Sequence, residues 1–115
     1  MKTATQNILL ALSAALLISS CAGTVTVVKT GKGIYPPASA SEIEILKTKP
    51  ERQYEELAVV DAINFPVNGI AKMHNALRAK AAPLGANAVI LTDEGVLNNG
   101  WAVVRYASGA AIRFK

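Results

Sequence analysis

Apolar and polar positions alternate with a period of two at 42–45, where Glu42 and Glu44 flank Ile43 and precede Ile45. That is the pattern of a strand with one wet face and one dry face. Pro50 interrupts it, because proline cannot donate to a sheet ladder. Residues 54–64 predict the next strand, with Leu57, Val59, Asp61 and Ile63 on one face and Ala58, Val60 and Ala62 on the other. Asp61 spoils the larger face, so a bulge or register change is expected near it.

The period then becomes helical. Ile70, Met73, Leu77 and Ala81 fall within an arc of about 80° at 100° per residue, and Leu84 extends the stripe. Lys72, Asn75, Arg78 and Lys80 lie outside it. The spacing predicts a helix over 69–82, with Asn68 as N-cap, Pro83 as breaker and Gly85 in the exit turn. Residues 88–92 form an apolar run suited to a central strand. Asn98-Asn99-Gly100 is a hairpin signal. Strands are expected at 101–106 and 110–114, with a turn or bulge at Ser108-Gly109. The fold class is therefore α+β: a mostly antiparallel sheet of four to five strands with one amphipathic helix packed on one face. One helix covers one face, so the other is expected to be polar or covered by the upstream segment or a second subunit.

Residues 21–41 read as a tether, rich in glycine and proline, although Thr24-Val25-Thr26-Val27-Val28-Lys29 also alternates like a short strand. As a tether, the stretch from Cys21 to Ser41 reaches at most about 70 Å and would hold a domain at 42–115 clear of a membrane.

The first 20 residues have the parts of a secretory signal: Lys2, then an apolar run from Ile8 to Ile18, then Ser19 and Ser20. The apolar run is well short of the ~20 residues that span a bilayer. Ile18-Ser19-Ser20-Cys21 resembles a bacterial lipobox: an aliphatic residue at minus three, two small residues, then the cysteine that receives lipid. That resemblance implies cleavage between Ser20 and Cys21. It also implies a diacylglyceryl group on sulfur and a palmitate-type chain on the new amine. At ~0.8 kcal/mol per buried CH₂, three chains give lasting attachment. If the chain sorts as lipoproteins of the enteric type do, the resemblance implies that Ala22 in place of Asp favours the outer membrane over the inner. Cys21 is the only cysteine, so once acylated it leaves the domain to fold without a disulfide.

The formal charge is +4, one less once Lys2 leaves, which is too small an excess to argue for nucleic acid. No reaction can be read from the remaining residues. Adjacent carboxylates such as Asp93 and Glu94 point to opposite faces of a strand. His74 is the only histidine, so no metal-ligand spacing exists, and its plainer reading is a half-covered residue at the edge of the apolar stripe. Trp101 and Tyr106 on the hairpin are candidate contact residues, with packing the simpler role.

Two segments carry a wider resemblance. Gly85-Ala86-Asn87-Ala88-Val89-Ile90-Leu91 after an Ala-rich helix, with residues 100–114, resembles the folded domain of the outer-membrane lipoprotein that senses envelope stress for the Rcs phosphorelay. It is also similar to small bacterial domains labelled heavy-metal-binding, and residues 35–55 look like uncharacterised lipoproteins of this group. The resemblance implies a compact α+β domain without established catalysis. It departs in lacking cysteines for the sensor's disulfides, and no ligand set matches the metal label. The expectation is a non-enzymatic, lipid-anchored protein facing the periplasm, without a cofactor. It binds the membrane through its acyl chains and an envelope protein or cell-wall component through its domain. The alternative is a small-ligand or metal-binding module, oligomeric or not.

Overall fold

The computed structural model describes residues 23–115, so the leader, Ser20 and Cys21 lie outside the described residues. Five strands form one sheet: β1 (Thr24–Lys29), β2 (Glu44–Leu46), β3 (Tyr54–Phe65), β4 (Ala88–Asn98) and β5 (Val103–Phe114). Helix α1 (Ile70–Ala81) connects β3 to β4. The spatial order is β1-β3-β5-β4-β2, and every neighbouring pair is antiparallel except β2 with β4. The expected α+β class, with a mostly antiparallel sheet and one helix on one face, is the fold observed.

The core lies between α1 and one face of the sheet. Met73, Leu77 and Ala81 are the helix residues that become fully buried. They meet Leu57, Val60, Ala62, Val89, Ala107 and Ala111 from the strands. Alanines dominate the middle strands on this face, which lets the helix approach closely. Two chain reversals sit where the sequence supplies a suitable residue. Gly85 closes the 3-10 turn Ala82–Leu84 at φ +79°, a conformation that glycine enters without steric cost. Gly100 does the same in the β4–β5 loop at φ +95°.

Several boundaries differ from the sequence pattern, each for a local reason. The segment that read as tether or strand is strand β1, antiparallel to β3 from Thr24↔Ile63 to Lys29↔Ala58. The following residues are docked as well, since Thr30 and Gly31 donate backbone hydrogen bonds to Leu57 O and Ala38 donates to Ala82 O. Leu57 leaves the face expected for it. A register shift between Glu56 and Ala58 turns it into the core beside Ala58, and Val59, Asp61 and Ile63 are left on the uncovered face. The second register shift of β3 falls between Ala62 and Phe65, where Asn64 takes φ +64°. Asn tolerates that region better than most residues, and Asp61 itself stays in register opposite Ser108.

Strand β2 is shorter than expected because Ala40–Glu42 form a 3-10 turn. Helix α1 is capped by Gly69 without a side-chain hydrogen bond, so Asn68 is not the N-cap. The two C-terminal strands expected are one continuous β5, and the irregularity falls on β4 instead, between Leu91 and Asp93. Gly109 permits this continuity: a Cβ there would stand 2.7 Å from Ile90 O.

The uncovered face has a buried apolar cluster at one end. Ala88, Ile90 and Ile112 form a second buried cluster with Leu46, Tyr54 and Phe114 around it. Residues 47–53 carry the chain from β2 past β4 and β5 to β3, and Arg52 stacks 4.4 Å above the Phe114 ring.

Candidate functional site

Four groupings carry the polar chemistry. The first is a row across the uncovered face. Register places Thr26, Asp61, Ser108 and Asp93 side by side on β1, β3, β5 and β4. Ser108 Oγ donates to Asp61 Oδ1 at 2.6 Å. Tyr106 lies over Gly95, whose missing Cβ would meet its hydroxyl at 3.2 Å, and makes a long 3.4 Å hydrogen bond to Asp93 Oδ1. The Asp93 charge, then burial and that hydrogen bond, raise the Tyr106 pKa above its ordinary value.

The second is His74 with Glu94, which meet between α1 and β4 with Nε2 and Oε2 2.5 Å apart, each side chain mostly covered. Asp93 and Glu94 do point to opposite faces, one toward Tyr106 and the other toward His74. The sequence offers no local signal for the His74–Glu94 pair, because 20 residues separate its members. The imidazole and the carboxylate satisfy each other and bridge helix and sheet. Among the described residues no group of three or more His, Cys, Asp or Glu gathers to hold a metal.

The third is the end of the sheet where β2 and β3 begin. Tyr35 donates to Glu55, and Arg113 stacks 4.5 Å above the Tyr35 ring while donating to Gly85 O at 2.8 Å. The Glu55 hydrogen bond, with burial and the same carboxylate's charge, raises the Tyr35 pKa, and Arg113 opposes the shift. An open groove of about 770 Å³ runs beside residues 40–46, with Asn75 and Arg78 on its helix side. Arg78 is committed there: Nε donates to Ile43 O at 2.9 Å and Nη1 to Asn75 Oδ1 at 2.6 Å. That geometry fixes the start of β2 and commits Arg78 to backbone and amide partners.

The fourth is the opposite end, formed by the β4–β5 hairpin. Its loop is residues 99–102, longer than a two-residue turn. The Asn98 side chain accepts from Gly100 N, and that of Asn99 accepts from Trp101 N and Ala102 N. Trp101 therefore sits at the apex, 95% exposed, outside the strand that was expected to contain it. The two candidate contact residues are not equivalent: Trp101 is bare, whereas Tyr106 is half-buried on the sheet. At the hairpin base Arg105 Nε donates to Val67 O at 2.9 Å and ties β5 to the loop before α1.

Among the described residues no helix is long and apolar enough to cross a membrane. No family model matches the chain, and no curated protein matches it in sequence. Its fold is similar to that of the Francisella virulence factor FvfA, solved in an orthorhombic form, with a TM-score of 0.59 over 77% of this chain and 97% of that one. Identity is 13%, so the likeness concerns the fold alone.

Proposed function

We propose that this chain is a lipid-anchored protein of the bacterial outer membrane, cleaved after Ser20 and acylated on Cys21. Its folded unit faces the periplasm and works without catalysis, as a module that binds another envelope component. The observation that carries the reading is the lipobox-like Ile18-Ser19-Ser20-Cys21 run immediately ahead of a folded unit. The polar row on the uncovered sheet face is the surface such a module would offer.

Mass spectrometry of the membrane fraction tests the anchor. The expected species begins at Cys21 and carries acyl chains, and Cys21→Ser abolishes it together with membrane attachment. An unmodified Cys21 in the wild type overturns the anchor. A photo-reactive residue in place of exposed Thr26, used in intact cells, tests the binding role. Failure to capture any envelope protein or cell-wall fragment counts against that role.

A further inference from the structure

The place of β1 sets how close the fold must lie to whatever holds Cys21. Thr24 opens β1, and the ring of Phe65 packs against Gly23, where a Cβ would stand 2.5 Å from the ring. The chain between Cys21 and Thr24 therefore spans at most about 11 Å, in place of the long spacer expected from composition. Thr24 is paired with Ile63, and the adjacent Ala62 with Ala107, so Thr24 stands about level with Tyr106. From there β5 continues to Val103 and the loop, so the hairpin tip projects at least about 10 Å further in the same direction. The acylation point is therefore held within about 11 Å of Thr24, at the end of the sheet that carries Trp101.

That end has the surface a lipid headgroup layer would accept. Ile63, Val67, Ile70, Val96, Trp101 and Val103 are exposed there. The stretches 62–72 and 95–106 hold Lys72 and Arg105 but no Asp or Glu, so no carboxylate must be desolvated. Tryptophan favours the membrane–water interface, where its ring is covered and its N–H stays wet. A basic excess suits anionic lipid. Arg105 bound to Val67 O holds the hairpin base and the loop before α1 as one unit.

We infer that the β4–β5 hairpin is a second membrane contact: Trp101 and Val103 enter the lipid interface beside the acyl chains of Cys21 and fix the orientation of the sheet. The occupant is the lipid surface itself, and the inference rests on the anchor proposed above. Trp101 is the only tryptophan, so its fluorescence reports this end alone.

The test uses the processed, full-length lipoprotein in phosphatidylethanolamine–phosphatidylglycerol vesicles whose acyl chains are brominated near the headgroup. Trp101 emission is expected to shift to shorter wavelength, to be quenched by the brominated lipid, and to lose most of its quenching by iodide. Val103→Asp, at an exposed position, and a Gly/Ser spacer inserted between Ala22 and Gly23 are each expected to reduce the lipid quenching several-fold. Acylated, vesicle-bound protein whose Trp101 is still fully quenched by iodide and untouched by brominated lipid overturns the hairpin contact and leaves the anchor standing. A Cys21 found unmodified by mass spectrometry, with no vesicle association, overturns the anchor and the hairpin contact together.

Discussion

The two ends of the sheet solve the same problem differently. Where β2 and β3 begin, loops return over the strand ends and spend aromatic and charged side chains on each other: Tyr35 on Glu55, Arg113 on Tyr35, Arg52 on Phe114. At the hairpin end the strands overrun the core, Trp101 and Val103 stand in the open, and Phe65 is the only aromatic ring there that is buried. The first end is closed by the chain itself. The second is stabilised by local turn hydrogen bonds and leaves apolar side chains exposed.

The largest expected effect tests whether the hairpin end still depends on one core anchor. Phe65 is 1% exposed and packs on Gly23, so Phe65→Ala should cost about 3–5 kcal/mol, read as a lowered urea midpoint. A glycine pair compares the ends directly. Gly85 has φ +79° and a Cβ there would stand 2.6 Å from Tyr35 Cβ and 2.7 Å from Pro36 O, so Gly85→Ala should cost on the order of 3 kcal/mol. Gly100 has φ +95° but nothing within 4 Å, so Gly100→Ala should cost only about 1 kcal/mol of backbone strain. Equal losses from the two would erase the contrast between a packed end and an open one.

Alkaline pH gives a smaller, graded test. The folded-state pKa values of Tyr35 and Tyr106 are raised above the ordinary tyrosine value of about 10, so both bind their protons more tightly when folded. Their contribution is complete below about pH 10, and it falls as pH rises through the raised folded values. A Tyr35→Phe, Tyr106→Phe double variant should show a shallower alkaline decline in thermal melts than the wild type. The smallest effect is that of Trp101→Ala, which should leave the stability of the folded unit within about 0.5 kcal/mol of wild type. A larger loss would mean that the apex is packed rather than presented.

How much of this was legible follows from where the information lies. The stripe of Ile70, Met73, Leu77 and Ala81 is local and periodic, and its last three members are the buried helix face, while Ile70 in the first turn is exposed. The hairpin was equally plain from Asn98-Asn99-Gly100, although its four-residue loop moved Trp101 out of the strand. Strand β1 was ambiguous because its neighbours, Gly23, Gly31 and Gly33, look like linker residues. Their smallness in fact serves close packing: a Cβ at Gly31 would stand 2.4 Å from Glu56 O. The inward turn of Leu57 was hidden because a register shift is set by the partner strand, not by alternation within its own. The pairs His74–Glu94 and Tyr35–Glu55 each join residues 20 apart and exist only once the sheet has formed. Of the candidate contact residues, composition alone could name Trp101 and Tyr106, but only the geometry separates them.

Strand β1 also has a mechanical meaning. Its first residue lies toward the hairpin end, and all six of its residues pair with β3, from Ile63 down to Ala58. A pull on the N-terminal side of Thr24, resisted at the far end of the sheet, loads that ladder along the strand axis. The hydrogen bonds then bear the force together, in shear, instead of opening one after another like a zip. Tension applied to the chain ahead of β1 is therefore borne by the whole β1–β3 ladder at once.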